Sequence, residues 1–343
     1  MYPGGPNPTQ VQYVPAGKAA NPPPPLVLIH DGGGTTFSYF ILGSLARDVW
    51  AVHNPRYFDG VPWEGGMDEM ARTYLGYLAD EGLSGPIILG GWSLGGYLSL
   101  TMAHMMALDP DAHPVSVAGI LIIDSPYHIA RSSITQPVSK PRLTNIPDLV
   151  QKSFDNCDAM LKNWHLPRWS GGEARGADFA VGGRDFKLGP EEVLHIPAAR
   201  GAGTWRTIST ERRGTGSANS NANADANVTA GESYGLAPGS PPPAVLIRCT
   251  RAARPVTEGQ DVAAPCLVDL FRGERLLGWE GRYAEFIKAV IEVDADHYGL
   301  FDRADAARLD DVTARLGWGL EMLDGLSGKS RAKGGKKMSC LFR

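Results

Sequence analysis

Short, dense apolar runs recur along this chain: PLVLIH (25–30), PIILGGW (86–92) and VAGILIID (117–124), then AVLIRCT (244–250) and KAVIEVD (288–294). A strand with one face in water alternates apolar and polar residues, so runs without alternation suit strands buried on both faces. DVWAVHNP (48–55), closed by Asn54-Pro55, is a further strand candidate. Helical stripes lie between the runs. MDEMARTYLGYLADE (67–81) has acidic residues in its first turn and apolar ones at Met67, Met70, Ala71, Tyr74 and Leu78. LGGYLSLTMAHMMAL (94–108) repeats Leu94, Leu98, Met102, Met105 and Met106 at three- and four-residue spacing. TTFSYFILGSLA (35–46), opened by Thr35 or Thr36, and a terminal helix through about 304–325 complete the set. Strands alternating with helices predict an α/β fold, a mostly parallel wound sheet with helices on both faces and right-handed crossovers.

The chain divides unevenly around that core. Residues 1–24 end in Asn21-Pro-Pro-Pro-Pro and read as a disordered, Pro-rich lead-in. Residues 25–127 and 244–326 carry the core pattern, whereas 128–199 mix short helical patterns with Pro and aromatics. Within 200–243, the stretch 214–243 is rich in Gly, Ser, Asn, Ala and Pro with almost no large apolar side chains. It cannot bury enough surface to offset its ordering entropy, so 200–243 is expected to be a disordered insertion. Residues 327–343 read as a flexible basic tail, with six Lys or Arg from Lys329 to Arg343. Its Cys340 sits where a prenylation box would place a cysteine, but a terminal Arg does not suit that signal.

With 33 basic against 37 acidic residues the net charge is −4, which gives no support to a nucleic-acid binder. Four cysteines, none within three residues of another, fit neither a zinc pair nor a disulfide scaffold. The first residues lack a basic segment followed by an apolar one, and no apolar run approaches membrane-spanning length. A cytoplasmic protein without a stable membrane anchor is expected, and the formal sequon at Asn227 is then moot.

Gly91-Trp92-Ser93-Leu94-Gly95 fits G-x-S-x-G and falls between a buried strand and an amphipathic helix. A sharp turn there lifts the serine hydroxyl out at the carboxyl edge of the sheet, and Gly91 and Gly95 leave room for the reversal. Trp92 would crowd a pyrophosphate, so a dinucleotide loop is the poorer reading. A serine nucleophile needs a base oriented by an acid. His297 follows the last strand and precedes the last helix, whereas His104 and His53 suit structural roles. For the acid, Asp124 ends the strand directly after the elbow helix, while Asp261 or Asp269 would supply it one strand later; residue physics leaves these open. The N–H of Leu94 and that of Gly32, in Asp31-Gly32-Gly33-Gly34, are candidates for an oxyanion hole.

IHDGGGTTFSYF, NPRYFDGVPWEGG, GPIILGGWSLGG, LIIDSP and DADHYGLF together resemble the thioesterase domains of fungal polyketide synthases and nonribosomal peptide synthetases, in their stand-alone form. That resemblance implies the α/β-hydrolase fold and places the acid in the Asp124-Ser125-Pro126 setting. It implies a helical lid over 128–199, where Phe154, Leu161, Trp164 and Trp169 could line an acyl chamber. It implies no cofactor and no metal. The implied substrate is an acyl, polyketide-like chain on the phosphopantetheine of an acyl carrier protein from a separate synthase, or on CoA. Release would be by hydrolysis or cyclisation in secondary metabolism. The family often has Pro where this chain has His30, and 200–243 has no counterpart in its motifs. A carboxylester or lipid hydrolase with the same triad, and a catalytically silent acyl-binding relative, are the alternatives.

Overall fold

The computed structural model describes residues 4–143, 146–171, 176–199, 205–210, 236–255 and 264–334, with side chains through 326. Eleven strands occur among them: β1 (Thr9–Gln12), β2 (Leu26–Ile29), β3 (Val49–Val52), β4 (Gly85–Trp92), β5 (Val115–Ile123), β6 (Ala177–Val181), β7 (Arg184–Leu188), β8 (Glu192–Ile196), β9 (Arg206–Ser209), β10 (Ala244–Cys249) and β11 (Ile287–Val293). The helices are α1 (Phe37–Phe40), α2 (Gly66–Asp80), α3 (Leu94–Leu108), α4 (Asp148–Leu161) and α5 (Ala306–Gly334). Nine strands form one sheet in the order β1-β3-β2-β4-β5-β10-β11-β8-β9. Its centre is parallel, and β1 and β9 close the two edges antiparallel.

Burial follows from the apolar runs. Every residue of β2 and β10 is buried, and the sheet separates two apolar layers. On one side Met67, Met70, Tyr74 and Leu78 of α2 meet Leu98 and Met102 of α3. On the other, Val312, Leu316, Leu320 and Leu323 of α5 form a stripe, and the separate β6–β7 hairpin adds Phe179 to that layer. No helix among the described residues is long and apolar enough to cross a membrane.

The chain order changes direction at β2, which pairs with β3 on one side and β4 on the other. Connections leaving the carboxyl ends of β2 and β4 diverge there, and open α/β sheets bind ligands in the crevice so formed. The loop 30–36 and the turn at Ser93 occupy that crevice.

Several expected boundaries differ. Part of the lead-in is built into the sheet, because Thr9–Gln12 pair with β3; Gln12 also donates to the Gly43 carbonyl and accepts from the Leu45 N–H. The helix expected over 35–46 shrinks to Phe37–Phe40, and Ala46 near the end of that stretch stands at φ 57°, outside helical backbone. The 128–199 insertion is only partly helical. Its second half supplies β6, β7 and β8, and β8 joins the main sheet beside β11. Arg206–Ser209 likewise extends the sheet from within the expected disordered insertion, whose residues 211–235 lie outside the described ones. The last helix continues to Gly334, past the expected start of the tail, and residues 335–343 with Cys340 lie outside the described residues.

The glycines around the turn test this packing. A Cβ at Gly91 would stand 2.6 Å from the Ile29 carbonyl oxygen, and one at Gly95 would overlap that same oxygen. Gly76, within α2, has open space around it. Gly95→Ala should therefore lower the unfolding free energy sharply, by more than about 3 kcal/mol, because backbone must move. Gly76→Ala should raise it, by about 0.5–1 kcal/mol. Denaturant titration checks the pair, and equal stabilities for the two variants would contradict the packing described.

Candidate active site

Ser93 stands between β4 and α3 with φ 56° and ψ −116°, a left-handed conformation that costs an L-residue energy and persists only where neighbours over-determine it. They do so here. The Ser93 N–H donates to the Ile123 carbonyl (3.0 Å), and the Ser93 carbonyl accepts from the Ser125 hydroxyl (2.6 Å). Behind the turn the Tyr39 hydroxyl accepts from the Trp92 N–H (3.0 Å) and donates to the Ile29 carbonyl (2.7 Å).

The hydroxyl so placed lies 3.0 Å from His297 Nε2, and His297 Nδ1 lies 2.8 Å from Asp124 Oδ2. A carboxylate only accepts, so Nδ1 carries the proton and Nε2 is free to accept from Ser93. His297 is buried against Trp92, with ring centroids 5.4 Å apart. Asp124 follows β5 at φ 47° and is fully buried. Its Oδ1 accepts from the Cys249 N–H (2.8 Å) and Arg272 Nη1 (2.6 Å), and its Oδ2 from His297 and Arg272 Nη2 (2.9 Å). Burial pushes this carboxyl's pKa up, but the bonds from His297 and Arg272 outweigh it and hold the group well below the ordinary carboxylate range.

Of the other acid candidates, Asp269 meets Arg272 Nε (2.8 Å) and the Ala253 N–H (2.8 Å), so the group it orients is Arg272. Asp261 lies outside the described residues. His104 bonds the Arg168 carbonyl and stacks edge-on with Trp169, and the backbone of His53 exchanges hydrogen bonds with the Asn7 side chain. The residue that sequence reasoning passed over is Arg272. It stands three positions after Asp269 within the apolar stretch LVDLFRGERLLGW, a setting in which a guanidinium must find buried partners.

The loop after β2 is set by four bonds. The Asp31 carbonyl accepts from His30 Nδ1 (2.5 Å) and the Gly34 N–H (3.0 Å). Across a trans peptide the Gly32 N–H then points the opposite way. The Gly33 N–H donates to Asp31 Oδ1 (3.1 Å), and the Gly32 carbonyl accepts from Ser153 of α4 (2.9 Å). His30, the departure from the family pattern, is locked from behind: its Nε2 accepts from the Tyr74 hydroxyl (2.5 Å), and burial drops its pKa to about 4. Leu94 is the first residue of α3, so its N–H has no intrahelical acceptor.

Phe154, Leu161, Trp164 and Trp169, expected to line a chamber, pack as follows. Phe154 does face the loop, since a Cβ at Gly32 would meet its ring at 3.2 Å. Leu161 and Trp164 instead belong to the apolar core, where Trp164 packs on Tyr97 and His128. Trp169 donates to the Tyr283 hydroxyl (2.8 Å) and presses on His104. Trp164 and Trp169 thus fasten the insertion to α3.

Asp31 is a second carboxyl beside the site. Burial pushes its pKa up to about 6, against the pull of the Gly33 N–H and of His297. An Asp whose folded-state pKa exceeds its unfolded value binds its proton more tightly when folded. Stability is therefore intact below the unfolded value and declines as pH rises toward about 6. Asp31→Asn keeps the acceptor for Gly33 and removes the charge. It should match wild type near pH 4 and gain about 1–2 kcal/mol near pH 8, once partial exposure of the group is allowed for. Denaturant midpoints at the two pH values check this, and no gain near pH 8 would contradict it.

Known proteins similar to this chain fall into one family. Residues 26–310 match the model of the alpha/beta hydrolase family. The chain is 41% identical over 331 residues to probable thioesterase lcsE of Purpureocillium lilacinum, covering 94% of this chain and 98% of that protein. It is 40% identical over 304 residues to probable thioesterase KK1J of Curvularia clavata, covering 88% and 91%. It is also 35% identical over 171 residues to nonribosomal peptide synthetase imqB of Aspergillus flavus, covering 48% of this chain and 5% of that one. The chain belongs to the alpha/beta hydrolase family and, within it, to the thioesterases.

Proposed function

We propose that Ser93, His297 and Asp124 form a catalytic triad that releases an acyl, polyketide-like chain from the phosphopantetheine of a separate acyl carrier protein, or from CoA, in secondary-metabolite biosynthesis. The observation that carries this reading is the continuous hydrogen-bonded run from the Ser93 hydroxyl through His297 to Asp124, at a serine held in left-handed backbone. The names of lcsE and KK1J support the thioester as the bond attacked, and the alignment with a segment of imqB supports a carrier-bound substrate.

In this mechanism His297 Nε2 takes the Ser93 proton as Oγ adds to the thioester carbonyl. Asp124 keeps Nδ1 protonated and stabilises the imidazolium that forms. The N–H groups of Leu94 and Gly32 receive the oxyanion, a contribution worth about 10²–10³ in rate for each donor. Collapse of the adduct expels the thiolate, which takes its proton from His297. Water activated by the same imidazole then releases a free acid, or a nucleophile within the chain closes a ring.

Intact-protein mass spectrometry with acyl thioesters of N-acetylcysteamine tests the chemistry. Wild type should accumulate an adduct of acyl mass, and Ser93→Ala should show none. Asp124→Asn should lower kcat by about 10⁴ through the wrong His297 tautomer. Asp269→Asn should stay within about tenfold of wild type, since its loss touches the triad only through Arg272. Full activity in Asp124→Asn would remove it from the triad. Faster turnover of the matching oxygen ester would favour a carboxylester or lipid hydrolase. Failure of a fluorophosphonate to label Ser93 would favour a silent acyl-binding protein.

A further inference from the structure

We infer that Arg272 is a positioning residue of the proposed triad, which clamps the Asp124 carboxylate and sets how readily His297 gives up its proton. The inference rests on the triad reading above and concerns a group that touches no reacting atom. Its geometry is that of a built clamp. Both terminal nitrogens of the guanidinium meet the two oxygens of Asp124, at 2.6 and 2.9 Å, a two-pronged match that fixes the carboxylate plane. Nε is taken by Asp269 (2.8 Å), and the nitrogens also reach the Cys249 and Val268 carbonyls. The Arg272 carbonyl accepts from Arg248 Nη2 (2.6 Å), and Arg248 in turn pairs with Glu292 (3.0 Å). Arg272 is itself buried, so it has one placement available.

The charge arithmetic gives the clamp a chemical consequence. With His297 neutral, Asp124, Asp269 and Arg272 sum to −1, and protonating His297 brings the buried cluster to zero. Without Arg272 the two carboxylates sum to −2, so the uncompensated negative charge beside the imidazole is larger and favours its protonated form more strongly. Arg272 therefore keeps the imidazole available as a base at lower pH, in addition to holding Asp124 in line. Asp269 works against Arg272, because its negative charge offsets part of the guanidinium's. The other titratable groups around His297 are Asp31 from the loop after β2, Cys249 from β10, and Asp296 and Tyr298 on its own loop. The Cys249 thiol is held protonated by burial and by Asp124. Asp31 titrates near 6, so it shares the pH range of interest.

The test measures the rate of Ser93 labelling by a fluorophosphonate against pH. That reaction uses the nucleophile and base without requiring a thioester, so it stays informative if the thioesterase assignment fails. Turnover of an acyl-N-acetylcysteamine thioester is followed in parallel. Each variant is compared with wild type and with Asp31→Asn, which removes the other carboxyl titrating nearby. In Arg272→Met the acid limb should move about one unit toward alkaline pH, so labelling falls about tenfold more near pH 6 than near pH 9. Arg272→Lys keeps the charge and loses the fork, so its limb should stay near that of wild type on a lower plateau. Asp269→Asn should displace the limb in the opposite, acid direction. A profile for Arg272→Met parallel to wild type would reduce Arg272 to a packing role and overturn the inference. Should Arg272→Met not fold, an unmoved or alkaline-shifted limb in Asp269→Asn overturns it equally.

Discussion

Everything at this site depends on how closely β2, β4 and α3 approach one another. The Ile29 carbonyl at the end of β2 lies where side chains at 91 and 95 would otherwise be, so only glycine permits the turn that carries Ser93. The same approach brings the loop after β2 within reach of Ser93, because β2 and β4 are paired neighbours at the point where strand order reverses. The hydroxyl raised by the turn thus stands at the same sheet edge as the loop after β2. Ser93 alone would be an ordinary surface hydroxyl. Its strained backbone, fastened by Ile123 and Ser125, spares it the search for the conformation that faces His297.

That much was legible in the sequence for a clear reason. Fully apolar runs have few alternatives to a doubly covered strand, so β2, β4, β5 and β10 stood within a residue or two of their expected positions. G-x-S-x-G is a backbone constraint written as residue types, and its neighbours fix which side of the sheet it faces. The unread parts owe their structure to partners distant in sequence. Thr9–Gln12 is a strand because β3 leaves an edge to pair with, not because four polar-leaning residues demand it. The β6–β7 hairpin and β8 were hidden in an insertion whose prolines and aromatics suggested short helices; they are held by α5 and β11, more than 90 residues further on. Trp164 and Trp169 showed the opposite weakness. An aromatic in an insertion reads alike whatever it packs on, and only the folded chain shows Trp164 against Tyr97 and Trp169 against His104 and Tyr283.

Helix α4 is joined to the loop after β2 more directly than its place in the chain suggests. Ser153 donates to the Gly32 carbonyl, Phe154 and Cys157 lie against Gly32, and Asn156 donates to the Gly60 carbonyl. One face of α4 thus rests on the loop that presents the Gly32 N–H, while His30 and Tyr74 brace that loop from the core side. A displacement of α4 would release the Gly32 carbonyl and leave the His30 contact in place.

The buried charges beneath His297 complete the same logic from the opposite side. Asp124, Arg272 and Asp269 form a desolvated cluster, and such clusters contribute little net stability compared with apolar residues of equal volume. What they supply is geometry. Four donors converge on one carboxylate, leaving it no second orientation, and His297 inherits that order through its Nδ1 proton. An apolar core would hold the sheet as well, but it would give the imidazole nothing to align against. The site's directionality therefore comes from a cluster of charge retained within the core, and the two apolar layers provide the stability that makes such a cluster tolerable.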